Sequence, residues 1–527
     1  MPPYLESLAS MATPVHKIND HSNGVQNHSN SLSNGHLNGQ TVNSSQIHFA
    51  LKPKGLGFAN GSTAPSTGTP QPGIADDNDV YDIVVAGFGP AALAIAIAME
   101  DALEETQGES LHDLPRKPRV AFLEKQNDFA WHAGMLLEGA KMQISFIKDL
   151  ATLRNPKSRF TFLNYLHQKK RLVQFSNLNT FLPSRVEFED YLRWCARHFD
   201  DVVSYGEEAL DITPEIPGSS STDSSSDVQR FLVRSRNMHT QKETIINARH
   251  VVIAVGGKPN IPAPFDWNQS RVIHSSQYSQ NLPYLLNNRA EKYNIAVIGG
   301  GQSAAEVFDN LQHNYPKCNT HLIFRQQSLK PSDDSPFVNE VFDPERIAPF
   351  YNQPAQWRIS TNLHHRNTNY GVVRLELLEK IYGTLYTQRL TYDSEEQWPH
   401  RILPNASVQS VTQTSPKKVS LRVKWTSSCD PQDGAERDFE YDLVVLATGY
   451  THNGFEEMLR PIHEVSEKTG QWNAGKDYRL QIDGLTVNKD AGIWLQGCNE
   501  KTHGVSHCYF ADLTMETNLG SSFLIPF

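Results

Sequence analysis

Two short glycine-rich turns, each directly after an apolar run and directly before a helical pattern, constrain this chain more than any other feature. The first, Gly87-Phe88-Gly89-Pro90-Ala91-Ala92, follows Ile83-Val84-Val85-Ala86. The second, Gly299-Gly300-Gly301-Gln302-Ser303-Ala304, follows Asn294-Ile295-Ala296-Val297-Ile298. Glycines permit a tight turn and close backbone approach, and the helix opening behind them aims free N–H groups and a positive dipole end at a pyrophosphate. One such turn can arise by chance. Two in the same strand–turn–helix context predict two nucleotide-binding α/β folds in tandem, with strands at Ile83–Ala86, Val120–Leu123, His250–Ala254, Ile295–Ile298, His321–Phe324 and Leu443–Ala447.

The residue ending the next strand distinguishes the two turns. Val120–Leu123 ends in Glu124, whose carboxylate can accept both hydroxyls of an adenosine ribose, although it stands further from its glycines than the usual ~20 residues. His321–Phe324 ends in Arg325, a guanidinium suited to a 2'-phosphate; the alternative is a strand-end arginine facing solvent. An acidic and a basic partner together point to a flavin dinucleotide on the first turn and NADPH on the second. Ala254-Val255-Gly256-Gly257-Lys258-Pro259 and Ala447-Thr448-Gly449-Tyr450 read as the turns by which the chain passes between the folds. The expected architecture is α/β, with two Rossmann-like dinucleotide-binding domains for FAD and NADPH and a small substrate-binding region between them. The expected boundaries are a disordered tail at 1–79, an FAD domain at 80–265, an NADPH domain with substrate-binding insertions at 266–410, a return to the FAD domain at 411–506, and an atypical tail at 507–527.

Composition excludes several other classes. At 527 residues the chain can bury two or three cores, and its net charge of -10, with no basic cluster beyond Lys169-Lys170-Arg171, argues against nucleic acid as a partner. Its five cysteines form no Cys-x-x-Cys, which disfavours a dithiol reductase and a disulfide framework. The longest apolar stretch, Ile83 to Met99, is broken by Gly87, Gly89 and Pro90, so it reads as strand, turn and helix, not as a membrane span. No charged region followed by an apolar one opens the chain, and the expected location is cytoplasmic. Residues Pro217 to Asp227, rich in serine, read as an inserted surface loop.

From about Tyr81 to Ser506 the sequence resembles the L-ornithine N5-monooxygenases of siderophore biosynthesis. The resemblance rests on Trp131-His132-Ala133-Gly134, Met142-Gln143-Ile144-Ser145-Phe146-Ile147-Lys148-Asp149, Phe160 to Leu166, Glu187 to Tyr191, Gly299 to Glu306, Pro336-Phe337-Val338-Asn339-Glu340-Val341-Phe342, Asn367 to Tyr370, and Ala447 to Tyr450. It implies an enzyme in which flavin, reduced by NADPH, takes up O2 as a C4a-hydroperoxide and delivers one oxygen atom to the side-chain amine of L-ornithine, often as a tetramer.

By the same resemblance, Gly87, Gly89, Glu124, Lys125, Gln126, Asn127, Asp128, Phe129, Ala130, Trp131, His132 and Gln143 hold FAD. Gly300, Gly301, Gln302, Ser303 and Arg325 hold NADPH. Lys148, Asn339, Glu340, Val341, Phe342, Asn369, Tyr370 and Gly371 contact substrate, with Asn369 also beside the nicotinamide ribose. Lys148, Asn339, Asn369 and Gln302 are the residues expected to carry catalysis. Physical chemistry agrees for Lys148, because an ammonium beside Ile144 to Ile147 needs an anion, which an amino-acid carboxylate would supply; the alternative is a structural pair with Asp149.

The resemblance ends after Thr502-His503-Gly504-Val505-Ser506. The chain continues as His507-Cys508-Tyr509 where the family carries an acidic residue and a Leu-Leu-Ser run, so an altered C terminus from a gene-model or splicing difference is expected. Three alternatives stay open: lysine N6-hydroxylation, generic flavin monooxygenation, and a catalytically impaired cofactor-binding protein. Gly301-Gln302-Ser303-Ala304-Ala305 lacks the second glycine of a hydrolase elbow, and no Glu follows His503 as a zinc-protease motif requires.

Overall fold

The computed structural model describes residues 80–106, 118–216, 227–426, 434–466 and 472–505. The expected tails at 1–79 and 507–527, and nearly all of the serine-rich loop, lie outside those residues.

The apolar stretch starting at Ile83 folds as read. Strand Val80–Ala86 is buried along almost its whole length, as a strand covered on both faces must be, and the helix Pro90–Thr106 opens with proline, whose missing N–H costs nothing at that position. Among the described residues, no helix is long and apolar enough to cross a membrane.

Val80–Ala86 sits mid-sheet, parallel to Val120–Glu124 on one side and to Glu243–Ile253 on the other. Val203–Tyr205 extends the parallel part beyond Val120–Glu124. On the far side, Arg230–Asn237 and Glu207–Glu215 continue the sheet antiparallel. The 11-residue strand Glu243–Ile253 serves two neighbours along one edge: its first half pairs with Arg230–Asn237, and its second half with the late strand Gly492–Leu495, in parallel, from His250 opposite Gly492 to Ile253 opposite Leu495.

The second sheet is wholly parallel, in the order His400–Leu403, Asn319–Ile323, Asn294–Ile298, Leu443–Leu446, Val272–His274. A three-stranded antiparallel sheet, Ala406–Ser415, Lys418–Trp425 and Glu436–Tyr441, packs on it through Val419, Leu421 and Val423, alternate residues that point to one face. This corrects the expected return to the first domain at residue 411. The described residues from 411 to 446 belong with the second sheet, because Leu443–Leu446 is a central strand there; the strand that rejoins the first sheet is Gly492–Leu495.

Each half has its own core. Ile83, Val85, Leu93, Phe122, Phe162 and Tyr191 pack in the first, and Val297, Ala305, Phe308, Leu322 and Val445 in the second. Full burial of such a side chain contributes about 1.5–3 kcal/mol, so each half is anchored independently. Met135 and Leu137 come from the first half's segment of chain but belong to the second core. That segment is therefore the seam.

Five histidines, His250, His274, His321, His400 and His503, are pushed down to about 4 by burial. The unfolded chain takes up protons on them near 6.5, while the folded chain refuses them until about 4. We expect the urea midpoint to fall as pH is lowered from about 6.5 towards 4, with their contribution to the slope vanishing below that. A midpoint that stays flat or rises across that interval contradicts this.

Candidate active site

At the first turn, Gly87 has φ +95, and a Cβ there would lie 2.6 Å from the Ala254 carbonyl oxygen, so two strand ends can meet only at a glycine. The Gly87 N–H donates to the Leu123 carbonyl at 2.7 Å. A Cβ on Gly89 would meet nothing within 4 Å, which leaves open space over the helix start. That helix has no acidic residue in its first turn, so its positive end is not neutralised from within.

Glu124 is buried and fixed. Its Oε2 accepts from the Phe88 N–H at 2.8 Å and its Oε1 from the Gln126 N–H at 2.9 Å. Each oxygen keeps a second lone pair for ribose hydroxyls. An open cradle, a helix start free of acidic residues and an aligned carboxylate fit the adenosine diphosphate portion of FAD.

A further glycine was missed by sequence reasoning. Gly497, at φ +77 just after strand Gly492–Leu495, approaches the same helix start, with a Cβ there 3.7 Å from that of Ala91. The signal was a short apolar run ending in Gln496-Gly497.

The segment from Lys125 to His132 divides. Lys125, Gln126, Asn127 and Asp128 are exposed, with Asp128 paired to Arg193. The Phe129 ring is buried in the core, edge-on to Phe88 at 6.2 Å, which leaves its backbone to face a cofactor. Ala130 is half-buried and Gln143 is exposed. His132 takes a left-handed backbone, φ 47, and its ring stands 5.1 Å from Trp131 and 5.6 Å from Tyr450. The ring reaches open space while protein crowds it, as on a cleft wall. Desolvation, then the Arg185 charge, then His452 lower its pKa to about 4, so it is neutral near pH 7.

The second turn repeats the design. Gly299 has φ +141, and a Cβ there would fall 2.3 Å from the Ala447 carbonyl oxygen. Gly300 is backed by the Gln326 side chain and Gly301 by Gly371, whose Cα would lie 3.4 Å from an added Cβ. Helix Gln302–Asn314 starts with no side-chain cap and no acidic residue in its first turn. Ser303 is half-buried within that turn, and Arg325 is exposed just past strand Asn319–Ile323, whose Ile323 carbonyl accepts the Gly299 N–H at 3.0 Å. A basic side chain beside an uncapped helix start fits NADPH. Gln302 is committed within the protein: Nε2 donates to Glu306 Oε1 at 2.9 Å, and Oε1 accepts the Arg374 N–H at 2.9 Å.

The seam joins these two sites. The Ser279 hydroxyl donates to the Ala133 carbonyl at 2.7 Å, and Arg185 Nη1 donates to the Met135 carbonyl at 2.8 Å. A Cβ on Gly134 would overlap the Ser276 carbonyl at 2.0 Å. Ser184 caps helix Arg185–Ala196 by accepting the Glu187 N–H at 3.1 Å and so places Arg185 in the first turn, where it grips Glu306 through two 2.8 Å bonds. The two passing turns lie side by side: Lys258–Pro259 pairs with Tyr450–Thr451, and buried His274 bonds the Gly449 carbonyl through Nε2 at 3.1 Å.

Lys148 and Asn339, expected at the substrate, come from separate elements. The buried Asp149 carboxylate accepts from the Ala151, Thr152 and Phe162 N–H groups and the Thr152 hydroxyl, so it organises the loop that presents Lys148. Asn339 ends the short helix Pro336–Asn339, and its side chain donates to the Asp334 carbonyl at 3.0 Å. Nearby, Glu340 pairs with Arg346 at the surface, Val341 is buried in the protein and Phe342 is half-buried. Asn369 closes helix Ala355–Asn369, which brings Tyr370 and Gly371 against the second turn. The Tyr370 hydroxyl donates to Glu500 at 2.9 Å, joining that segment to the last described helix, Glu500–His503.

Fold and site define a flavoprotein-type oxidoreductase with two facing nucleotide sites. The chain belongs to the L-lysine 6-monooxygenase/L-ornithine 5-monooxygenase family, whose model matches residues 79–452. It is 49% identical to an L-ornithine N(5)-monooxygenase of Arthroderma benhamiae over 452 residues, 84% of this chain and 89% of that protein. It aligns with the ornithine hydroxylase of Pseudomonas aeruginosa at TM-score 0.73 and 37% identity, over 85% of this chain and 99% of the other. The ornithine N-hydroxylase of Kutzneria sp. 744, in a structure with reduced FAD, NADP+ and L-ornithine, aligns at TM-score 0.72 and 32% identity over the same shares. This chain is thus a flavin-dependent N-hydroxylating enzyme.

Gly299→Ala should destabilise the protein by about 1–3 kcal/mol and weaken NADP+ binding, because neither the turn nor the Ala447 carbonyl can move without disturbing its strand. Urea unfolding and calorimetric titration check this; unchanged values for both would count against the packing described.

Proposed function

We propose that this enzyme hydroxylates the side-chain amine of L-ornithine at N5, converting amine, O2, NADPH and a proton into hydroxylamine, water and NADP+, and that the product feeds hydroxamate siderophore assembly. The observation that carries this is the presence of two glycine-turn helix starts, neither with an acidic residue in its first turn, with Glu124 marking one and Arg325 the other. Relatives that match most of the chain are named for ornithine. When bound, the flavin supplies the activation of O2; the protein's task is to bind, orient and exclude water.

Glu124 and the Gly87–Gly89 cradle hold the adenosine end of FAD. Trp131, His132 and Gln143 line its approach to the seam, and a neutral His132 adds no positive charge that would repel a cationic amine. Lys148 pairs with the substrate carboxylate, which leaves the opposite end of ornithine directed to the reacting centre. Asn339 and Asn369 each carry donor and acceptor groups suited to the α-amino group and a ribose hydroxyl. Gly371, pressed on Gly301, closes the nicotinamide side.

Two measurements test this. Ornithine should support hydroxylamine formation with kcat/KM at least about 10-fold above lysine, since one methylene is worth ~1–3 kcal/mol in a fitted pocket. Equal rates would favour a generic amine oxidase, and flavin absorbance without hydroxylation a cofactor-binding protein. Arg325→Ala should raise the KM for NADPH about 10- to 100-fold and leave that for NADH nearly unchanged, the span expected for a charge-assisted hydrogen bond of ~1.5–3 kcal/mol. An equal effect on both nucleotides would remove Arg325 from the 2'-phosphate.

A further inference from the structure

Glu306 is itself no expected ligand residue, yet among the described hydrogen bonds it is the one carboxylate to which both halves of the cleft are bonded. Its two oxygens take both Arg185 nitrogens at 2.8 Å, and Oε1 also accepts Gln302 Nε2 at 2.9 Å. Both partners of the ion pair are nearly inaccessible, with 12% of the Arg185 side chain and 10% of that of Glu306 exposed. A pair so enclosed is weakened little by solvent screening, and its three hydrogen bonds fix the carboxylate's orientation.

The chain of bonds runs further in both directions. On the first half, Arg185 continues to the Met135 carbonyl, three residues beyond His132 on the cleft wall. On the second half, Gln302 continues to the Arg374 N–H, three residues beyond Gly371, which itself rests on Gly301. With its carboxamide held at both ends, Gln302 cannot flip without losing a bond.

We propose that Glu306 is a positioning residue: through Arg185 and Gln302 it braces the wall segment His132–Met135 against the first turn of helix Gln302–Asn314, and so sets the alignment between hydride donor and acceptor. This rests on the flavin and NADPH assignment above. Because alignment errors of about 1 Å can cost up to ~100-fold, a carboxylate that never meets the cofactors can still govern the rate.

Glu306→Gln tests it. The variant keeps the size of the side chain and one bond to Arg185, and it loses the charge and the second equivalent acceptor. Purified with FAD and studied by anaerobic stopped flow, it should show flavin reduction by NADPH slowed about 10-fold, with a larger deuterium isotope effect on hydride transfer. Calorimetry should show NADP+ affinity weakened several-fold, while FAD content and melting temperature stay close to wild type. Lower thermal stability with an unchanged isotope effect and reduction rate would reduce Glu306 to a structural ion pair and overturn the proposal. If the variant loses FAD, Arg185→Lys, which keeps the charge but loses the paired bonds to Glu306, takes its place: slowed reduction with a raised isotope effect supports the brace, and wild-type behaviour overturns it. The wild type run in parallel separates the two claims. Wild-type flavin reduction without ornithine hydroxylation sinks the substrate assignment and leaves the brace standing, whereas normal hydroxylation with indifferent variants does the reverse.

Discussion

The seam at Ala133–Leu137 is the constraint on which the rest depends. Its backbone carbonyls are taken by Ser279 and Arg185, a glycine at 134 permits direct contact with the Ser276 backbone, and Met135 and Leu137 enter the core of the opposite half. Each half would hold a nucleotide by itself, but hydride transfer requires both to meet at a fixed distance. A seam made of backbone hydrogen bonds and a buried ion pair has few alternative arrangements, unlike a surface of interchangeable apolar contacts. The fold thus turns two ordinary nucleotide turns into one reaction centre.

The two turns share a construction and differ in charge. Both place a positive-φ glycine against a carbonyl of a neighbouring strand end, Ala254 in one case and Ala447 in the other. Those alanines start the two segments that pass between the halves, so the same contact that tightens each turn also fixes where the chain crosses. The turns differ in the charge carried at the end of the following strand. Glu124 is held by two backbone N–H groups and cannot swing away, whereas Arg325 is exposed at its strand end, in keeping with a guanidinium that meets an outer phosphate.

Much of this was legible in the residues. Buried parallel strands carry continuous apolar runs, and every strand expected from them is present within a few residues. The glycine turns were visible because their conformation demands glycine. The antiparallel sheet from Ala406 to Tyr441 was harder, since its alternation of Val419, Leu421 and Val423 with Ser420, Arg422 and Lys424 mimics any half-buried strand and says nothing about its partners. Within the site, the sequence named residues but not the direction of their side chains: Phe129 and Val341 are buried and Glu340 pairs with Arg346, arrangements set by packing and charge at a distance in sequence. The Arg185–Glu306 contact spans 121 residues, and only folding reveals that a helix-capped arginine and a helix-borne glutamate face each other.

The most direct test of the central claim is a crystal structure of the protein with FAD and NADP+ bound together. The account requires both nucleotides on the described helix starts, with the nicotinamide carbon and the reacting flavin nitrogen about 3–3.5 Å apart across the seam in a hydride-transfer geometry. A structure in which NADP+ occupies another surface, or in which the two rings lie on opposite sides of an opened seam that no reductant closes, would contradict it.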